Sequence, residues 1–218
     1  MKSKRIPQVN KLYYPYVGGI ERVVCQVAEG LAGQTEMSVL VCSEDRHYKE
    51  EMINSVRIVR VPSLAKWGNL PIPFGLTAAL RKLSRKQDII HLHMPFPFGD
   101  LACLLSGFHG KIVLWWHSDV VRQKKMMFFY KPIMMRMLKR ADAIVVATEG
   151  HIEGSAYLKT FREKCVVIPF GVDREIEEQA DAYIAEKAGK REAAEDKLKA
   201  EGSVRFLFVG RLVYYKGC

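Results

Sequence analysis

Two adjacent glycines, one strand-end histidine and a pair of alternating histidines are the residues of this sequence best suited to chemistry. Gly18 and Gly19 lie in Tyr14-Pro15-Tyr16-Val17-Gly18-Gly19-Ile20-Glu21-Arg22. Such a pair lets a ligand approach the backbone, and the free N–H groups at a helix start favour an anion such as phosphate. A tight turn that needs positive φ accounts for the same pair, and spacing alone leaves both readings open. His117 follows an apolar run in Trp115-Trp116-His117-Ser118-Asp119. A parallel sheet presents substrate-touching side chains at that carboxyl edge, although strand-end histidines are often only packed or solvated. His91 and His93 alternate along another run, which puts both imidazoles on one face and raises the question of a metal. No further ligand is spaced nearby and no Asp-X-Asp occurs, so they are read as core or cleft-lining residues and no metal is expected.

Basic residues supply the other candidates. Residues 122–140 carry Arg122, Lys124, Lys125, Lys131, Arg136, Lys139 and Arg140 with no acid, interleaved with Met and Phe. A basic amphipathic helix reads as a membrane-surface element, with Arg122, Lys124 and Lys125 as acceptor or membrane contacts. A core helix with a solvated basic face, kinked at Pro132, is the plainer alternative. Arg211 and Lys216 sit on a loop after a late apolar run, where they could neutralise a diphosphate. The net charge of +10 admits a phosphate-bearing small molecule, an anionic membrane or nucleic acid as partner. No helix-turn-helix, zinc or RNP-type motif accompanies the charge, which sets nucleic acid aside.

The elements that must position these residues are legible in the hydrophobic pattern. Strands are expected at 6–12, 37–42, 56–61, 88–93, 111–117, 143–148 and 165–169. Helices are expected at 19–33, 74–85, 98–108, 121–139 and 149–159. The first helix has the clearest stripe: Ile20, Val23, Val24, Val27, Ala28 and Leu31. Strand-helix alternation with near-continuous Val/Ile strands predicts a doubly wound, Rossmann-like parallel sheet. From Asp173 to Glu201 the chain turns rich in Glu, Lys, Ala and Arg, which reads as a solvated helix or linker, and an apolar strand follows at 204–209. The five cysteines are scattered without a CxxC pair, which fits free thiols in a reducing cytosol. The start of the chain lacks the apolar run of a signal peptide, and no stretch is long and apolar enough to span a bilayer.

Six segments in order, GGIERVV, HLHMP, WWHSDVVRQK, RADAIVVAT, VIPFGVD and FLFVGRLVYYKG, resemble the retaining GT-B glycosyltransferases of family 4. The resemblance runs from about Gln8 to Gly217. It implies an N-terminal, acceptor-side domain over 1–172, a charged linker over 173–203, and the first strand and loop of a donor-binding domain over 204–218. By the same likeness Gly18 and Gly19 face the donor phosphate, and His117 is the cleft histidine associated with the transferred sugar and catalysis. Arg211 and Lys216 match the pair that binds the donor diphosphate. The implied reaction moves a hexosyl group from a nucleotide sugar to a cell-envelope or lipid-linked glycan, with retention and without a metal. Such enzymes work in the cytoplasm, often at the inner membrane face, and the oligomeric state stays open.

Two departures from the family pattern set further expectations. The family's pair of glutamates separated by seven residues falls past residue 218, and the charged segment is longer than the usual linker. This polypeptide alone is therefore expected to be inactive, and a non-catalytic acceptor- or membrane-binding module is the alternative. A dinucleotide-dependent oxidoreductase shares the architecture, but GxGxxG is missing after the first strand. Acceptor choice is expected to fall to loops such as 63–74.

Overall fold

The computed structural model describes residues 3–43, 46–67, 70–120, 124–172 and 176–187. The apolar runs become strands: β1 (Arg5–Val9), β2 (Glu36–Ser43), β3 (Lys49–Ile53), β4 (Val56–Trp67), β5 (Leu70–Pro73), β6 (Ile89–Met94), β7 (Lys111–Trp116), β8 (Ala143–Val146) and β9 (Cys165–Val167). They form a mostly parallel sheet in the order β3-β4-β2-β1-β6-β7-β8-β9, with β5 attached to β4. The antiparallel members are β3 and β5, each paired with β4. Parallel neighbours need crossover connections. Helices α1 (Gly19–Leu31), α2 (Leu76–Ser84), α3 (Pro97–Leu105), α4 (Lys124–Arg140) and α5 (Glu149–Gly154) supply them.

Amphipathic spacing decides which face each helix covers. α1 buries Val23, Val24 and Ala28 against Val39, Val41 and Ile58 of one face, and reaches Trp115 and Val145. The other helices pack through Leu80, Ala102, Met134, Met137 and Ile152 among Leu40, Leu92, Leu114 and Val146. Leu40 lies between Val39 and Val41, so alternation puts these two clusters on opposite faces. Each fully buried side chain of this size stabilises the fold by roughly 1.5–3 kcal/mol. The doubly wound architecture holds, with α1 alone on its face among helices α1 to α5.

In three places the chain departs from the expectations. The strand expected over 56–61 continues to Trp67 and folds back on β5, so the described part of 63–74 is largely a hairpin arm. Pro71 and Pro73 argue against a strand, yet β5 tolerates them because it hangs on β4 outside the main path. At the sheet edge, β3 reads Lys-Glu-Glu-Met-Ile and has no apolar alternation to announce it. The helix expected over 149–159 divides at Ser155, whose Oγ bonds Asp119 and accepts the N–H groups of Tyr157 and Leu158. A 3₁₀ segment, Leu158–Lys164, follows. α4 begins at Lys124 and runs through Pro132.

The chain divides into two units, Met1–Phe170 and Gly171–Cys218. In the second, residues 176–187 are helical and largely exposed, whereas the strand expected at 204–209 lies outside the described residues. For the site, the decisive feature of the first unit is that β1, β6 and β7 run side by side and parallel. Their carboxyl ends share one edge of the sheet. The connections into α1, α3 and α4 leave from that edge.

Candidate functional site

The site is built on adjacent strands. Gln8 of β1 pairs with His91 of β6, and His93 of β6 pairs with Trp115 of β7. Alternation puts His91 with His93, and Trp115 with His117, on one face. This is the face that α1 covers, since Trp115 packs with Val23 and Val27. His117 follows the last residue of β7, and its backbone N–H donates to the Met94 carbonyl at 3.0 Å. That bond carries the β6–β7 pairing past the end of the strand.

A continuous hydrogen-bonded row links α1 to His117. Gln8 Nε2 donates to the Val24 carbonyl at 3.3 Å, and Gln8 Oε1 lies 2.7 Å from His93 Nε2. His93 Nδ1 in turn lies 2.9 Å from His117 Nε2. The rings are nearly parallel: His117 is 5.2 Å from His93, 6.0 Å from Trp115 and 6.1 Å from Phe170, centroid to centroid. Burial disfavours charge here. It lowers His91 and His117 to about 4, with neighbouring histidines adding to the effect at His117. His93 is pushed well below the ordinary imidazole range, by burial first and then by His91 and His117. At neutral pH His117 is therefore an uncharged ring that can exchange hydrogen bonds with a hydroxyl. It brings no positive charge to a phosphate.

The glycine loop lies on the same edge. Gly18 is the N-cap of α1 in extended conformation (φ −158°, ψ 167°), with no side-chain cap. Among the described residues the glycines with positive φ are Gly75 and Gly107, so the tight-turn reading of Gly18 and Gly19 falls away. A Cβ on Gly18 would come 2.2 Å from Glu21 Oε2, whereas one on Gly19 would meet nothing within 4 Å. The start of α1 thus combines uncapped N–H donors with open space at Gly19 and a carboxylate beside Gly18. β1 and β7 are two strand spacings apart, roughly 10 Å, so the loop and His117 flank one stretch of sheet edge.

Other sequence candidates take different places. Lys124 and Lys125 open α4, while Arg122, Arg211 and Lys216 lie outside the described residues. Asp119 accepts from Trp116 Nε1 at 3.0 Å and from Ser155 Oγ at 2.8 Å, so it braces the loop after His117. α4 is a core helix that buries Met127, Tyr130, Met134, Met137 and Leu138. Its solvent side carries Phe128 (78% exposed) and Phe129 (73% exposed) beside Lys131, Arg136 and Lys139. Beneath it, the Tyr130 hydroxyl donates to the buried Asp100, whose carboxyl is raised to about 8 by burial.

Residues 17–176 match the family described as Glycosyltransferase Family 4. This chain belongs to glycosyltransferase family 4. Among its relatives, the O-antigen chain mannosyltransferase C of Escherichia coli is 32% identical over 215 residues, 98% of this chain and 55% of that protein. The D-rhamnosyltransferase WbpZ of Pseudomonas aeruginosa is 32% identical over 202 residues, 92% of this chain and 51% of that protein. The chain spans about half the length of these curated relatives. The solved sucrose-phosphate synthase of Thermosynechococcus elongatus superposes with a TM-score of 0.57 at 17% identity, covering 78% of this chain and 48% of that one. That likeness is one of fold, the Rossmann-like half of GT-B.

Within this family-4 chain, Gly18, Gly19 and His117 fall inside the matched stretch, and Arg211 and Lys216 beyond it. Sequence reasoning missed Gln8 and read His93 as a core or cleft-lining residue without linking it to His117. One signal was present: Gln8 is an amide between Pro7 and Val9 in a short strand, where a buried polar group demands a partner.

Proposed function

We propose that this chain forms the acceptor-side half of a glycosyltransferase that moves a hexosyl group from a nucleotide sugar to a cell-envelope or lipid-linked glycan, with retention. The observation that carries the reading is a neutral, hydrogen-bonded His117 on the same sheet edge as the uncapped start of α1, inside the family-matched stretch. The relatives, one named as an O-antigen chain mannosyltransferase and one as a D-rhamnosyltransferase, support the substrate class. The departing nucleoside diphosphate gains negative charge in an oxocarbenium-like transition state. Backbone N–H groups at the start of α1 are assigned to that charge, because neutral His117 cannot serve it; Arg211 and Lys216 carry a diphosphate role only through the family resemblance. A phosphate entering there displaces the Glu21 carboxylate from beside Gly18. His117 then contacts a sugar hydroxyl, and the acceptor attacks from the face the diphosphate leaves. The reaction is proposed to be metal-independent, on the family resemblance and the lack of an Asp-X-Asp motif in this sequence.

The test is a transfer assay on the protein made from the complete reading frame, offered nucleotide mannose and nucleotide rhamnose with lipid-linked glycan acceptors. Sugar transfer with release of nucleoside diphosphate is the expected result. Failure with every sugar donor would leave a binding module in place of an enzyme.

A second reading concerns where the enzyme works. The adjacent Phe128 and Phe129 rings stand exposed among Lys131, Arg136 and Lys139, a composition suited to an anionic lipid surface. Each base close to such a surface contributes about 1 kcal/mol. Among the described residues no helix is long and apolar enough to cross a membrane. We propose peripheral attachment to the inner membrane face through this side of α4. The protein should sediment with vesicles containing anionic lipid and much less with neutral ones, and Phe128→Ser/Phe129→Ser should weaken the difference. Equal sedimentation with both vesicle types counts against attachment.

A further inference from the structure

The row of polar groups from α1 to His117 has a direction, and the direction can be worked out. The Val24 carbonyl can only accept, so the amide NH₂ of Gln8 must face it and Gln8 Oε1 must face His93. An oxygen can only accept as well, so the proton between them sits on His93 Nε2. A neutral His93 then has a bare Nδ1, and the proton in the 2.9 Å contact with His117 belongs to His117 Nε2. Once Nε2 holds that proton, a neutral His117 keeps its lone pair at Nδ1.

We infer that Gln8 and His93 are positioning residues that hold His117 as its Nε2–H tautomer, so that Nδ1 is presented as a hydrogen-bond acceptor to a hydroxyl of the bound sugar. The reverse direction meets two obstacles. With Gln8 as it stands, it needs protons on both nitrogens of His93, an imidazolium at a position only 1% exposed. With Gln8 flipped, it sets two oxygens against each other at the 3.3 Å contact with Val24. Geometry supports the same conclusion. His91 and His93 are buried but His117 is half-buried, so the row starts in the core and ends at the only histidine of the three open to a ligand. The consequence for chemistry is specific: His117 takes a hydrogen bond from the sugar and gives none at Nδ1. A ring free to change tautomer would be correctly disposed only part of the time.

The role for the sugar rests on the glycosyltransferase reading; the position of the proton does not, and the experiment separates them. In the full 218-residue chain labelled with ¹⁵N-histidine, His117 Nε2 should carry a directly bonded proton. It should also show scalar coupling through the hydrogen bond to an unprotonated His93 Nδ1. A proton found on His93 Nδ1 overturns the inference. In the protein from the complete reading frame, His93→Phe keeps a ring in the array but removes the acceptor, and should lower kcat by about 10- to 100-fold with little change in KM. His93→Asn, whose Oδ1 can stand where Nδ1 stood, should recover most of that loss. Wild-type kcat in His93→Phe, or no recovery in a folded His93→Asn, also overturns it. An unmodified protein with no transfer activity would sink the glycosyltransferase reading alone, since the coupling is read without substrate.

Discussion

Replacing His117 by alanine should lower turnover roughly 100-fold or more in the protein made from the complete reading frame, while moving the thermal midpoint by only a few degrees. The two effects separate because of where the ring sits. Its backbone N–H holds the Met94 carbonyl whatever the side chain, so the end of β7 keeps its place. The lost side-chain contacts are one hydrogen bond to His93 and ring stacking against His93, Trp115 and Phe170. For a half-buried ring these are worth about 1 kcal/mol. If His117 meets the sugar most strongly in the transition state, kcat and kcat/KM fall together and KM stays near its original value. Steady-state kinetics beside a thermal melt checks both halves. Turnover equal to the unmodified protein would remove His117 from the site.

Acid should weaken the fold well before carboxylates are fully protonated. His91, His93 and His117 all have folded-state values depressed by burial, with His91 and His117 at about 4. The unfolded chain takes up protons near the ordinary value of about 6.5. Their contribution is therefore whole above pH 6.5 and is lost as pH falls toward 4, roughly tenfold in the folding equilibrium per pH unit for each ring. Asp100 works in the opposite direction. Its carboxyl is raised to about 8, so protonation in the folded state favours the fold increasingly as pH falls from 8 toward 4. It offsets one histidine. The remainder comes to about 3 kcal/mol lost between pH 7 and pH 5, a large part of the stability of an ordinary domain. Urea unfolding at the two pH values measures it, and Asp100→Asn should steepen the loss by removing the offset. Equal unfolding midpoints at both pH values would mean that these rings are already charged in the folded protein.

The sequence made most of the framework legible because the framework is local. The α1 stripe of Val23, Val24, Val27 and Ala28 and the Val/Ile runs of β2, β6 and β8 each declare their period within a few residues. What stayed hidden depends on neighbours distant in the chain. β3 and β5 exist because β4 offers them an edge, and neither has a pattern of its own. The division at Ser155 comes from Asp119, 36 residues away. The site divides along the same line. His117 and the glycine pair stand as candidates from position alone, because strand ends and helix starts are local facts. The partnership of His117 with His93 and Gln8 required the sheet order and register, which place residues separated by 24 and 85 positions in contact. Gly18 and Gly19 show the limit from the other side: spacing left a tight turn and a ligand-facing loop both open, and only the backbone, with neither glycine at positive φ, sets the turn aside.

Gln8 and His93 lie on β1 and β6, and His117 directly follows β7; these three strands sit inside the sheet, with β2 on one side and β8 on the other. Backbone amides in such strands exchange with solvent only when the whole domain opens. The imidazole orientations are thus established once, during folding, together with the rotamer freedom that their side chains give up. On the proposed reading, a sugar arriving at this edge meets a surface that has little left to organise, so little of its binding energy is spent on ordering the protein around it.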